Sequence, residues 1–158
     1  MREGLFNVLG QRFSGERVLD LYAGSGALAL EALSRGAAEA VLVERDREAA
    51  SVCERNARTL GYGERIELLR GELKAVLPRL EGRRFDLVFV DPPYADGPVL
   101  ALELVDRQGL LADGGVVIAE HDKRIEPPET VGALARRDLR RFGDTAISFY
   151  ERPNEEKA

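Results

Sequence analysis

The chain has 158 residues, of which 44% are hydrophobic and 32% charged, and its formal net charge is −5. This length suffices for one domain with a full hydrophobic core, and no apolar run in the sequence is long enough to cross a membrane. One cysteine and one histidine exclude an internal disulfide and give no basis for a metal site. We therefore expect a soluble, cytoplasmic monomer, with one domain over residues 1–152 and a polar tail over residues 153–158.

Apolar runs alternate with amphipathic segments along the chain, which predicts a mostly parallel sheet with helices on its faces. A helix over Arg2–Leu9 precedes strands near 17–22, 40–44, 65–70, 85–90 and 115–120, which alternate with helices near 26–35, 47–60, 72–80 and 97–108. Residues 133–142 and 144–151, separated by Gly143, are typical of a β-hairpin. The predicted fold is a doubly wound, Rossmann-like α/β sheet of seven strands with a C-terminal antiparallel hairpin.

The first strand leads into the turn Ala23-Gly24-Ser25-Gly26 and then into a helix rich in alanine and leucine. Glycine lets the backbone approach a ligand closely, and the helix N-terminus supplies free N–H groups and partial positive charge. We therefore expect a valine at Gly26 to abolish ligand binding while leaving the fold largely intact. The next strand ends at Glu44, at about the spacing where an acidic residue binds ribose hydroxyls. These features predict a nucleoside site.

The fourth strand, over residues 85–90, ends in Asp91-Pro92-Pro93-Tyr94, four candidate catalytic residues. Proline has no N–H and extends the residue before it, so Asp91 and Pro92 present only acceptor oxygens. A carboxylate and a backbone carbonyl would accept the two hydrogens of an exocyclic amine, while Tyr94 stacks on the base that carries it. The competing interpretation is a structural turn that ends a strand.

The glycine turn also satisfies the dinucleotide fingerprint, so the identity of the cofactor needs other evidence. Asp20, just before the turn, suits the ammonium of an amino acid and would repel a pyrophosphate. The Asp-Pro-Pro-Tyr segment suits a methyl acceptor and offers nothing for hydride transfer. Both observations favour S-adenosylmethionine over a nicotinamide cofactor.

Four motifs together resemble one family. They are Arg2-Glu3-Gly4-Leu5-Phe6-Asn7, the segment from Asp20 to Leu28 with Glu31-Ala32-Leu33-Ser34-Arg35-Gly36, Val43-Glu44, and Asp91-Pro92-Pro93-Tyr94. The combination looks like the bacterial 16S ribosomal RNA guanine-N2 methyltransferases of the RsmD type. The resemblance extends to residues 143–151, which are similar to the closing strand of that family. It implies a seven-stranded methyltransferase sheet, S-adenosylmethionine as cofactor and 16S ribosomal RNA as substrate.

The resemblance also implies a role for individual residues. Asp20, Tyr22, Gly24 and Gly26 would line the methionine part of the cofactor, Glu44 would hold its ribose, Glu72 and Leu73 would lie beside its adenine, and Asp91, Pro92 and Tyr94 would receive the guanine. Glu72 departs from the aspartate that is usual in the family. The family also has a basic strand hairpin before the Arg-Glu motif, and this sequence starts at Met1 without it. We therefore expect weak binding to naked RNA and recognition within an assembled small subunit or an assembly intermediate.

Three other features carry two interpretations each. The cluster Arg136-Arg137-Asp138-Leu139-Arg140-Arg141 is either a charged edge strand or a strip that contacts RNA phosphates. His121 is more simply a surface partner of a neighbouring acid than a catalytic base. Cys53 is expected to be a buried packing residue.

Alternative functions stay open at this stage. Adenine-N6 or cytosine-N4 DNA methyltransferases share the prolyl segment, although they usually carry a target-recognition insertion for which this chain has no room. Protein-glutamine methyltransferases share it too, typically with asparagine in place of Asp91. A non-catalytic nucleotide-binding module and an NAD-dependent dehydrogenase-like domain are alternatives of a different class.

Overall fold

The computed structural model describes residues 2–10, 12–93 and 95–153. The helices are α1 (Arg2–Leu9), α2 (Ala27–Ser34), α3 (Arg47–Thr59), α4 (Leu73–Val76) and α5 (Val99–Gln108), with short 3-10 helices at Gly63–Arg65 and Leu77–Leu80. The strands are β1 (Arg17–Asp20), β2 (Glu39–Glu44), β3 (Ile66–Arg70), β4 (Phe85–Val90), β5 (Leu111–Asp122), β6 (Thr130–Val131), β7 (Leu134–Phe142) and β8 (Thr145–Glu151). Within the described residues, no helix combines the length and the apolar character that a membrane crossing requires.

The strands form one sheet in the order β3-β2-β1-β4-β5-β8-β7-β6. Strands β1 to β5 pair in parallel, and β8 is antiparallel to both β5 and β7, which confirms the predicted α/β sheet and its closing hairpin. The described part of the chain contains one strand more than the seven predicted, because β6 adds a two-residue pairing to the start of β7. Two residues are too short to give an alternating pattern in the sequence.

Two segments differ from their predicted bounds. β5 begins at Leu111 and not near residue 115, because its register against β4 shifts between the pairs Phe85↔Leu111 and Leu87↔Val116. The predicted helix over 72–80 divides into α4 and a 3-10 helix that contains Pro78 in its first turn. Proline cannot donate the backbone hydrogen bond that would continue an α-helix.

The central strands are buried on both faces, because alternate side chains of each strand enter opposite hydrophobic clusters. One cluster includes Leu19, Leu21, Val41, Val43, Val88 and Val90; the other includes Val18, Ala40, Leu42, Leu87 and Phe89. β1 lies between β2 and β4, so the strand order reverses direction at this point. The carboxyl ends of β1, β2, β3 and β4 therefore meet at one edge, where open α/β sheets bind ligands.

Candidate active site

The turn after β1 lies at this edge because hydrogen bonds tie it to both neighbouring strands. The Leu21 backbone N–H donates to the Phe89 carbonyl of β4, and the Ala23 N–H donates to the Val43 carbonyl of β2, each at 3.0 Å. Tyr22, between these two anchors, lines a cavity at the carboxyl edge. The central position of β1 therefore places the turn between the ends of two other strands.

The two glycines of the turn are needed for different reasons. Both have positive φ, 56° at Gly24 and 86° at Gly26. A Cβ at Gly24 would meet nothing within 4 Å, whereas a Cβ at Gly26 would lie 2.7 Å from the sulfur of Cys53 on α3. The expectation that the fold tolerates a larger residue at Gly26 is therefore wrong, because α3 packs directly on this turn. Cys53 is fully buried, which confirms it as a packing residue.

Glu44 joins the ends of two elements through its carboxylate. One oxygen accepts the Gly24 backbone N–H at 2.8 Å, and the other accepts the Asp46 backbone N–H at 2.8 Å. A carboxylate has about four acceptor positions, so both oxygens can still accept further hydrogen bonds. The structure thus shows a structural role for Glu44, which holds the glycine turn in place, and its contact with ribose stays a prediction.

A cavity of about 580 Å³ opens in front of this turn, within the size range of small-molecule sites. Its walls include four of the predicted cofactor residues and most of the prolyl segment: Tyr22, Glu44, Glu72, Leu73, Asp91, Pro92 and Pro93. Within the described residues, Asp20, Gly24 and Gly26 do not line it directly. The ligand contacts of all these residues stay predictions.

Glu72 lies at the rim of the cavity. Its carboxylate is 74% exposed and forms a 3.7 Å ion pair with the exposed Arg45. The adjacent Leu73 is buried and supplies an apolar wall. A base in this part of the cavity would therefore meet the apolar wall of Leu73 and a solvent-exposed polar rim.

Asp20 is a buried carboxyl group directly before the glycine turn. Its side chain is 1% exposed, and its Oδ1 atom has no hydrogen-bond partner among the described residues. Burial raises the pKa of Asp20 to about 7, against the lowering effect of a hydrogen bond from the Tyr22 backbone, and the negative charges of Asp91 and Glu44 raise it further. This part of the site therefore favours a positively charged ligand and disfavours a phosphate.

The prolyl segment separates two cavities. Asp91 follows directly on β4, is exposed, and together with Pro92 and Pro93 lines both the larger cavity and a second one of about 260 Å³. Tyr94, the fourth predicted catalytic residue, lies outside the described residues. The prolyl segment therefore lies between the two cavities, so a ligand in one cavity would lie next to a ligand in the other.

Glu120 is a residue of the second cavity to which the sequence analysis assigned no role. It lies on β5, where burial, followed by the neighbouring Asp91 of the prolyl segment, raises the pKa of its carboxyl group to about 8. No short motif marks Glu120, because the pairing of β5 with β4 brings it there. The register of two distant strands was the missing information.

His121 is not a surface residue, which corrects the prediction from its neighbours in the sequence. It lies in β5, is 4% exposed, and its Nε2 atom is 2.8 Å from the Ser148 hydroxyl of β8. Its Nδ1 atom is 2.9 Å from the Asp122 carbonyl. Both ring nitrogens therefore have polar partners within the sheet, and the ring also lines the second cavity.

The arginine cluster lies on β7, whose residues beyond Ala135 lack a strand partner on one side within the described chain. Arg136 is largely buried and donates to the Pro127 carbonyl and to Glu126. Two other arginines of the cluster are paired with acids, Arg137 with Glu151 and Arg140 with Asp138. These contacts favour a charged edge strand, while Arg141 is exposed at its end.

No group of three or more potential metal ligands clusters in the part of the chain that the structure describes.

The carboxyl edge of the sheet contains a nucleoside-sized cavity with a negatively charged end, followed by the acceptor oxygens of the prolyl segment. A parallel sheet with this strand order, glycine turn and prolyl segment defines a Rossmann-like methyltransferase.

Comparisons with known proteins agree with this class. The sequence model of a family described as "Conserved hypothetical protein 95" matches residues 1–151. Ribosomal RNA small subunit methyltransferase D of Escherichia coli (strain K12) is 33% identical over 153 residues, 96% of this chain and 76% of that protein. A conserved hypothetical protein of Streptococcus pyogenes has a solved structure with a TM-score of 0.88 and 39% identity, over 95% of this chain and 94% of that one. An SAH-bound methyltransferase of Podospora anserina has a TM-score of 0.59 and 29% identity, over 66% of this chain and 45% of its own.

The chain belongs to the Conserved hypothetical protein 95 family, which includes the methyltransferase D relatives. Family membership and the fold together confirm the resemblance drawn from the motifs and make this protein a methyltransferase.

Proposed function

We propose that this protein transfers a methyl group from S-adenosylmethionine to the exocyclic N2 amine of a guanine in 16S ribosomal RNA. The observation that carries the proposal is the position of Asp91 and Pro92 between the two cavities. An amine held there would face a group bound in the larger cavity. The name of the Escherichia coli relative supports ribosomal RNA as the substrate.

The residues that line the larger cavity, together with Asp20 directly before Leu21 of its wall, fit S-adenosylmethionine. Its methionine part carries an ammonium and a sulfonium, and the unpartnered Asp20 oxygen lies in a cluster of acids that would stabilise positive charge. Glu44 has free acceptor positions for ribose hydroxyls, and Leu73 offers an apolar surface for the adenine. The SAH-bound relative supports the same cofactor class. When bound, the cofactor supplies a methyl group on a positively charged sulfur.

The prolyl segment would orient the amine. The Asp91 carboxylate and the Pro92 carbonyl accept its two hydrogens, which aims the nitrogen lone pair towards the larger cavity. As the amine acquires positive charge, the Asp91 carboxylate stabilises it and is placed to receive the released proton. Tyr94 would fix the plane of the base by stacking.

The substrate base must leave its helix to reach the cavity, because an amine inside a duplex cannot reach the prolyl segment. The net charge of −5 and the paired arginines of β7 disfavour tight binding to naked RNA. We therefore propose a small ribosomal subunit, or an intermediate of its assembly, as the physiological substrate.

A labelling experiment tests the proposal. Methyl-labelled S-adenosylmethionine is offered with the enzyme to small-subunit particles, naked 16S RNA, duplex DNA and total protein from cells that lack the enzyme. Label at guanine N2 in the particles is expected, and label found only in DNA or in protein would refute the proposal. Asp91→Ala should lower turnover by about two to three orders of magnitude with little change in cofactor affinity, because a positioned charge-stabilising acceptor is lost.

A further inference from the structure

Glu120 lies beside Asp91 because of the register between two parallel strands. The last pair of β4 and β5 at this end joins Val90 to Ala119. The residues that follow this pair, Asp91 and Glu120, are therefore neighbours at the carboxyl edge. Their carboxyl groups are close enough for a hydrogen bond, which forms when one of the two keeps a proton.

The shared proton determines which atoms face the cavity. Burial, followed by the hydrogen bond and the charge of Asp91, raises the pKa of Glu120 to about 8, so the pair keeps one proton near neutral pH. Because that proton lies between the two carboxyl groups, their remaining oxygens are left as acceptors. Across β8 the partner of Glu120 is the apolar Ile147, and the nearby Asp122 is bound to Arg124.

The cavity that Glu120 lines has apolar walls against which a base could stack. Its volume is about 260 Å³, and Pro92, Pro93 and Ile125 provide apolar walls around the Asp91–Glu120 pair. Ile125 is 42% exposed and presents part of its apolar surface to this cavity. A base stacked between these walls would present its hydrogen-bonding edge to two carboxyl groups.

We propose that Glu120 recognises the target base by accepting the N1–H of guanine while Asp91 and Pro92 hold the adjacent N2 amine. The inference rests on the proposed function and specifies its base. Guanine carries a donor beside its exocyclic amine, whereas adenine and cytosine carry an acceptor nitrogen beside theirs. An acceptor next to the methylated amine therefore selects guanine, since an unpaired buried polar group is costly.

A double-mutant cycle between the residue and the base tests the contact. The labelling experiment first locates the guanine that the wild-type enzyme methylates. Small-subunit particles are then reconstituted with 16S RNA that carries either guanine or 2-aminopurine at that position. 2-Aminopurine keeps the exocyclic amine but has an acceptor at N1. The values of kcat/KM are measured for wild type, Glu120→Leu, Glu120→Gln and the exposed control Glu103→Leu.

On guanine, Glu120→Leu should lower kcat/KM by about 10- to 100-fold, the range for a lost hydrogen bond of this kind, with the cofactor Kd unchanged. On 2-aminopurine, wild type and Glu120→Leu should agree within about 3-fold, because the contact is already absent. Glu120→Gln should stay within about 3-fold of wild type on guanine, since its amide donates to Asp91 and its oxygen accepts N1–H. Glu103→Leu should match wild type on both bases.

If Glu120→Leu lowers kcat/KM equally on guanine and on 2-aminopurine, the inference is overturned, because Glu120 would then act only through Asp91 or the fold. It is overturned as well if Glu120→Leu leaves kcat/KM on guanine unchanged. Failure of the proposed function is distinct: the wild-type enzyme itself would then place no label on guanine N2, and the role assigned to Glu120 would fall with it.

Discussion

Replacing Asp20 with asparagine tests whether the buried carboxyl at the end of β1 costs stability when it ionises. In the folded protein the pKa of Asp20 is raised from 3.8 to about 7, chiefly by burial. An unfolded chain releases this proton near the ordinary value, whereas the folded chain keeps it until about pH 7. The stability associated with Asp20 is therefore fully present below the ordinary pKa and is lost as the pH rises through the raised value.

The magnitude follows from the size of the shift. Once the pH exceeds both pKa values, the ionised Asp20 lowers the free energy of unfolding by about 4 kcal/mol, and more than half of this loss falls between about pH 5 and about pH 8. Asparagine is neutral at every pH. The free energy of unfolding of Asp20→Asn should therefore fall less than that of wild type over this range, by about 2–3 kcal/mol.

Urea unfolding followed by circular dichroism at several pH values between about 5 and 8 measures this difference. Asp113→Asn is a matched control, because the Asp113 side chain is fully exposed and its ion pair with Arg152 should contribute little. The control should follow the wild-type pH dependence. If the free energy of unfolding of Asp20→Asn has the same pH dependence as that of wild type, the argument from burial is refuted.

Four further variants address the turn, the ribose contact and the basic strand. Glu44→Gln should weaken S-adenosylmethionine binding by about 1.5–3 kcal/mol in calorimetry, because hydrogen bonds to a charged acceptor are lost. Gly26→Ala should lower the free energy of unfolding by about 1–3 kcal/mol in urea, because its methyl group would lie 2.7 Å from the Cys53 sulfur. Arg141→Ser should reduce the salt dependence of RNA binding by about one counterion, whereas Arg136→Ser should lower stability, because Arg136 holds a neighbouring loop.

The chain offers controls for these variants. Glu48→Gln, on an exposed position of α3, should leave cofactor affinity unchanged, and an equal loss there would argue against a specific ribose contact. Gly82 has φ 85° but open space around its Cβ position, so Gly82→Ala reports backbone strain without the clash. A similar loss for Gly82→Ala and Gly26→Ala would mean that the contact with α3 is unimportant. If Arg136→Ser alters the salt dependence as much as Arg141→Ser does, the two arginines do not have the separate roles assigned to them.

Local chemistry in the sequence was enough to predict the fold and the framework of the site. Strand, glycine turn and helix follow one another within a few residues, so their pattern survives in the linear sequence. Glu44 was predictable because an acid at the end of the second strand must lie beside the turn that ends the first. The acceptor oxygens of Asp91 and Pro92 follow from the chemistry of proline itself.

Tertiary structure decided the features that depend on which distant segments meet. Glu120 reaches Asp91 only through the register of β4 and β5, and His121 is buried only because β8 brings Ser148 against it. Gly26 packs against Cys53 because α3 folds back on the turn. The local sequence around each of these residues does not predict which distant residue it will contact. A short pattern determines local conformation and chemistry, whereas burial, pairing and pKa arise from contacts that form only when the whole sheet assembles.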